Sequence, residues 1–231
     1  MTFTDWHSHI LPNVDDGSRD VAESLKLLEM LAEQGVGKVI ATPHFIADNE
    51  SVSAFIKRRN DSYNRLKEAA NKGMPEIVLG AEVAYYSGIS RLSNLKELCI
   101  DRTGLLLLEM PFSVWKEYTL KEVVEIATAK NIVVILAHIE RYLKFQPYKT
   151  LEQLMEIGVL MQVNASYFAE LRTRRKALSL LKKGGIQFLG SDCHNLTSRA
   201  PKIGTAYEVI KNKFGEDFVW QMNEYGNSLL V

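Results

Sequence analysis

All five histidines of the chain, His7, His9, His44, His138 and His194, stand at the end of, or just beyond, a short apolar run. The first run closes in His7-Ser8-His9. Residues two apart on an extended strand share a face, so the two imidazoles converge while Ser8 turns away. Asp192-Cys193-His194 repeats that spacing at the close of the last run, and His44 and His138 end two others. Glu82 and Glu109 end otherwise apolar stretches, where an unpaired charge is costly. The acid pair Asp15-Asp16 lies close enough behind the first run to reach the same mouth. Neutral imidazoles with carboxylates suit Mn, Fe or Zn, and the lack of a cysteine cluster removes a structural zinc site. Nine donors (His7, His9, Asp16, His44, Glu82, Glu109, His138, Asp192 and His194) exceed what one ion needs. Two or three adjacent ions, with Glu82 bridging, would use them. Each residue alone has a plainer reading: a hydrogen-bonded histidine, an Asp-Asp-Gly turn, a Glu109 paired with an arginine. Their conjunction favours a multinuclear metal centre over a polar, metal-free rim.

Positioning these residues requires strands that end together. Seven apolar runs, 2–9, 38–44, 76–83, 104–110, 131–138, 159–164 and 186–192, are β-branched or leucine-rich and mostly continuous. Strands buried on both faces of a parallel sheet read this way. Helical periodicity separates them: from a Ser18 cap through Val21, Leu25, Leu28, Ala32 and Val36, then over 54–71, 117–130, 151–157, 177–183 and 201–214, with a short turn at 92–98. The alternation predicts a closed or nearly closed α/β barrel whose carboxyl-end rim carries the site. An open doubly wound sheet is the alternative, but no glycine-rich phosphate loop follows the first strand.

Composition narrows the field further. The 231 residues carry 28 Lys+Arg against 28 Asp+Glu and are 46% hydrophobic, which suits one large domain over 1–231. Zero net charge argues against a nucleic-acid partner. Two isolated cysteines, Cys99 and Cys193, fit a reducing compartment. No apolar run is long enough to span a membrane, and the polar start MTFTDWHSH lacks the core of a signal peptide; a cytoplasmic location is expected.

The segments Asp5-Trp6-His7-Ser8-His9-Ile10-Leu11-Pro12, Asp15-Asp16-Gly17, Thr42-Pro43-His44, Gly80-Ala81-Glu82, His138-Ile139-Glu140-Arg141 and Ser191-Asp192-Cys193-His194-Asn195 together resemble the PHP (polymerase and histidinol phosphatase) superfamily. Within it the chain is similar to bacterial manganese-dependent tyrosine-protein phosphatases of capsule and exopolysaccharide loci, the CpsB/YwqE type, from Thr2 to about Gly204. The resemblance implies a distorted (β/α)7 TIM-like barrel and three divalent ions, Mn foremost, held by the nine donors named above. It also implies that Arg141 and Arg199 bind phosphate, and that the substrate is the phosphorylated tail of a bacterial tyrosine kinase. Oligomeric state stays open. The departures, Ala81, Tyr85-Tyr86 and Ile139 in place of a frequent proline, sit beside the ligands and remove none of them.

The chemistry so implied is in-line attack on phosphorus by a hydroxide held between two ions, with Arg141 and Arg199 clamping the phosphoryl group. Phe45, Phe112, Trp115, Tyr142 and Tyr167 are the aromatic residues available to a phenyl ring, each also able to cap the barrel instead. Three rivals stand beside the tyrosine phosphatase: a small-molecule phosphomonoesterase such as a histidinol phosphatase, a nuclease, and a non-catalytic module stapled by its metals. Cys193 and Arg199 also match the C-x5-R spacing of thiolate phosphatases, yet Asp192 and Leu196 occupy the positions where that loop wants His and Gly. The basic stretch Arg172, Arg174, Arg175, Lys176, Lys182 and Lys183 reads as a solvated helix face, with docking of an acidic tail as the alternative.

Overall fold

A computed structural model describes residues 2–230, so the two terminal positions of the expected 1–231 domain lie outside the described residues. The chain runs β1 (Phe3–Ser8), α1 (Val21–Glu33), β2 (Val36–Ala41), β3 (His44–Phe45), α2 (Val52–Ala69), β4 (Glu76–Leu79) and β5 (Glu82–Ala84). After two 3-10 turns come β6 (Leu105–Glu109), α3 (Glu117–Ala129), β7 (Val133–Leu136), a 3-10 turn at Ile139–Lys144, α4 (Tyr148–Glu156) and β8 (Leu160–Asn164). The last part comprises α5 (Ala165–Ala169), α6 (Leu171–Lys182), β9 (Phe188–Gly190), α7 (Ile203–Phe214) and α8 (Glu216–Ser228).

Every strand pair is parallel, in the orders β1-β2-β4 and β3-β5-β6-β7-β8-β9. The two sheets are continuous through the chain, since β2 leads into β3 and β4 into β5. At the far edge a parallel bridge joins Ser8 to Cys193, flanked by Asp192 N donating to His7 O (2.7 Å) and His9 N to Cys193 O (3.0 Å). The result is an α/β fold around a curled parallel sheet. Neighbours follow chain order, unlike the reversing order of an open doubly wound sheet.

All seven expected runs hold strand, with shifted bounds. The run 38–44 breaks after Ala41, where Pro43 can give no ladder N–H, and 76–83 breaks at Gly80-Ala81. The first helix is capped by Asp20, not Ser18: the Asp20 carboxylate accepts from Glu23 N at 2.9 Å, one of the amides a helix leaves unpaired. It stops at Gly35, whose φ is +81°, so Val36 belongs to β2. Pro201 precedes α7 rather than entering its first turn. The sequence reading missed α8 altogether.

Two apolar layers result. Leu106 and Leu108 of β6 join the large cluster under the helices. Leu105 and Leu107, on the other face, pack with Trp6, Ile40, Ile135, Ala137 and Phe188 inside the curl. Glu109 shares that inner face by the strand's period of two, so the inner cluster is an apolar floor beneath the charged rim.

Candidate metal centre

The rim gathers the expected donors. Glu82 is the hub: its Oε2 lies 3.1 Å from His7 Nε2, 3.2 Å from His9 Nε2 and 3.1 Å from His44 Nδ1. Its Oε1 lies 2.9 Å from His138 Nε2, which is also 3.2 Å from Glu109. Three overlapping groups, His9-Asp16-His44-His194, His7-His9-Glu82 and His44-Glu82-Glu109, each converge within 4.8 Å. Asp192 Oδ1 joins them at 3.7 Å from His7, 3.5 Å from His9 and 3.6 Å from His194. All nine candidate donors are therefore linked in one cluster at the rim, with Asp16, 65% exposed, at its outer edge.

Local backbone aims several of these groups. His138 (φ +32°) and Asp192 (φ +50°) hold left-handed conformations that β-carbon-bearing residues seldom adopt. Such strain persists where surrounding structure demands it. Gly17 lets the Asp15-Asp16 loop close on the first strand: a Cβ there would stand 2.3 Å from His9 O.

Supporting groups fix the imidazoles. Asp15, which sequence reasoning set aside for its neighbour Asp16, accepts from His9 Nδ1 at 2.6 Å, from His44 N at 2.9 Å and from Gly17 N at 2.9 Å. Gln162 Oε1 lies 3.1 Å from His7 Nδ1 and accepts from His138 N at 2.7 Å. Asn164 donates to Asp192 Oδ2 at 2.7 Å. Carboxylate and amide partners of this kind orient metal-binding imidazoles. The signal for the amides was readable: Gln162 and Asn164 are two polar residues at strand spacing within an apolar run.

The electrostatics are those of a cation site. Burial opposes charge on Glu82, but His7 and hydrogen bonds from His138, His7 and His9 outweigh it and hold the carboxyl well below its usual range. Asp192 and Asp15 are likewise lowered against burial, Asp192 by His7 and His9, Asp15 by its bond to His9. Burial also opposes a charged His9, yet Asp15 and Glu82 push its pKa up to about 10. Against the same burial, Glu109 and Glu82 raise His138 to about 9. Protons thus sit where several anions require positive charge. His194 Nδ1 lies 3.0 Å from Asp192 O and its Nε2 is buried without a hydrogen-bond partner, which suits an imidazole that serves a cation. The donor set fits divalent metals.

Arg141 and Arg199 stand at the lip, half-exposed, donating to the two oxygens of Asp192 at 2.5 and 2.7 Å. The C-x5-R reading fails here: Cys193 is fully buried, and burial drives its thiol pKa upward, away from a nucleophilic thiolate. Two expected substrate contacts also fail. Phe45 is 1% exposed and packs edge-on against Phe55. Tyr142 is 0% exposed, its hydroxyl oxygen accepting from Met110 N at 2.8 Å. Trp115 is buried beside Tyr142 and Tyr167 is half-buried, while Phe112 stands exposed.

Fold and rim together define an α/β protein with a histidine–carboxylate centre suited to divalent cations. The chain belongs to the family described as capsular polysaccharide synthesis, CpsB/CapC, which matches residues 3–229. It is 28% identical over 226 residues to the tyrosine-protein phosphatase CpsB of Streptococcus agalactiae serotype III, covering 92% of this chain and 91% of that one. With the tyrosine-protein phosphatase YwqE of Bacillus subtilis it shares 28% over 235 residues, covering 98% and 91%. A crystal structure described as that of YwqE from Bacillus subtilis and CpsB from Streptococcus pneumoniae, "unique metal-dependent tyrosine phosphatases", superposes with a TM-score of 0.85 at 25% identity, covering 98% of this chain and 94% of that one.

Proposed function

We propose that this protein is a metal-dependent protein-tyrosine phosphatase, a phosphoric monoester hydrolase acting in capsular or exopolysaccharide synthesis. The observation that carries the reading is Glu82: one carboxylate oxygen within 3.2 Å of three imidazole nitrogens, beside two arginines that share Asp192. Its fold is the distorted seven-stranded (β/α) barrel of the PHP superfamily, in one domain. His7, His9, Asp16, His44, Glu82, Glu109, His138, Asp192 and His194 hold three divalent ions, Mn in preference to Fe or Zn. Bound divalent ions make water nucleophilic near neutral pH and screen the charge of phosphoryl oxygens.

The protein's own groups do the rest. Arg141 and Arg199 are planar donors that exchange Asp192 for the phosphoryl oxygens and hold them in line. Asn164 keeps Asp192 in place when the arginines leave it. Asp15 and Gln162 prevent the His9 and His7 rings from turning. A phenol of pKa about 10 leaves as an anion far more readily than a serine alkoxide, so the residues need supply little acid assistance. The partner is the phosphorylated tail of a bacterial tyrosine kinase, met in the cytoplasm. Among the described residues no helix is long and apolar enough to cross a membrane.

Elemental analysis of the purified protein, coupled to hydrolysis of a phosphotyrosine peptide before and after chelation, tests this. Chelation abolishes turnover and Mn restores it. A marked preference for histidinol phosphate over the peptide would replace the reading with a small-molecule phosphatase.

A further inference from the structure

The loop between β6 and α3 starts one residue beyond Glu109 and is pinned from below. Met110 N donates to the Tyr142 hydroxyl (2.8 Å), Trp115 Nε1 to Pro111 O (2.9 Å) and Gln146 Nε2 to Ser113 O (2.8 Å). Trp115 in turn packs edge-on against Tyr142. On this rigid base two apolar side chains face solvent, Phe112 at 47% and Val114 at 70% exposure. The Phe112 ring lies nearly parallel to the His138 imidazole, with centroids 5.8 Å apart and planes inclined by 26°. Phe145, just past the turn that carries Arg141, is exposed as well.

The ring's inner edge meets Tyr142, centroids 5.7 Å apart, while the rest of it stays in water beside carboxylates, imidazoles and arginines, where incomplete burial limits its hydrophobic gain. Nothing in the pinning of the loop requires an aromatic at this position, since all three hydrogen bonds above use other residues. The ring borders His138, and the 3-10 turn that begins just beyond His138 carries Arg141, so an ester substituent directed over this lip from a phosphoryl group on Arg141 would meet it. In a phenyl ester the ring stands one oxygen away from phosphorus, close enough to stack. A serine or threonine ester offers no flat face there.

We propose that Phe112 is the platform that receives the aromatic ring of the substrate and makes the site select aryl phosphates such as phosphotyrosine over alkyl ones. The inference rests on the phosphatase reading and deepens it from the reaction to the choice of substrate. Stacked and offset aromatic pairs are worth enough to change affinity by about two- to tenfold.

The test compares the Mn-loaded wild type with Phe112→Ala and Phe112→Tyr. Hydrolysis of a phosphotyrosine peptide is measured, together with calorimetric binding of benzylphosphonate and methylphosphonate. Phe112→Ala is expected to raise KM for the peptide by about two- to tenfold with kcat within about twofold. It weakens benzylphosphonate by the same factor, leaves methylphosphonate binding and Mn content unchanged, and Phe112→Tyr restores the wild-type values. Equal benzylphosphonate binding by wild type and Phe112→Ala overturns the platform whatever the hydrolysis shows. Parallel losses for both phosphonates overturn it too, because they report general damage to the pocket. A wild type that hydrolyses no peptide yet binds benzylphosphonate through Phe112 instead sinks the hydrolytic reading and leaves the platform standing.

Discussion

Glu82 concentrates the consequences of single-residue change. Replacing it by Gln removes the charge that three imidazole nitrogens share, so Glu82→Gln is expected to lose bound metal and at least a hundredfold of activity; full metal content with normal turnover would contradict the hub. Asp15 acts through His9, and Asp15→Asn is expected to weaken metal affinity by about 10- to 100-fold, read by competition with a chelating dye. The imidazoles also set a pH dependence. An ordinary histidine titrates near 6.5, whereas in the metal-free fold His9 is raised to about 10 and His138 to about 9. Those protons stabilise the metal-free protein fully below about pH 6.5, and the contribution is lost as pH climbs through 9 to 10. A cation must displace them, so Mn binding at pH 7.5 should release protons into weakly buffered indicator solution, and metal affinity should rise with pH. Absence of release would contradict this. The convergence of the candidate donors was legible in the sequence because, Asp16 in its loop apart, each is a charged or imidazole side chain at the end of an otherwise apolar run. Asp15 was not, since an Asp-Asp pair gives no clue to which carboxylate turns inward.

At the scale of elements, periodicity located all seven strand runs but not their breaks, which depend on how Pro43 and Gly80 meet neighbouring strands. It also missed α8, whose mixed composition hides a contact face for β1. Asn223 Oδ1 accepts from Thr4 N at 3.2 Å, and Asn227 Oδ1 from the Thr4 hydroxyl at 2.9 Å. A Cβ on Gly226 would stand 2.9 Å from the buried Trp6 ring. Alanine ordinarily strengthens a helix, yet Gly226→Ala is expected to destabilise the fold by about 1–3 kcal/mol through overpacking, measured by urea unfolding. Helix α6 breaks a different rule: its first turn holds no acid and its cap makes no side-chain hydrogen bond. Arg174 is occupied with Phe168 O and Ala169 O, but Arg172 faces the positive end of the helix dipole. Arg172→Glu should therefore stabilise by about 0.3–1 kcal/mol with unchanged peptide turnover. A fall in turnover would instead make this basic face a docking surface.

For the whole molecule, the candidate donors come from β1 and the loop after it, from β3, β5 and β6, from the turn after β7 and from the segment after β9, so ions bound there would tie together segments far apart in the chain. Beneath them lies the floor of Trp6, Ile40, Leu105, Leu107, Ile135, Ala137 and Phe188, against which Leu229 and Leu230 also pack. That stopper closes the site from below, among the described residues. With the floor shut, the products are expected to leave over the same lip that admits the ester, the alcohol before the phosphate. Inorganic phosphate, last to leave, should then compete directly with the next ester in initial-rate measurements, whereas the released alcohol should not.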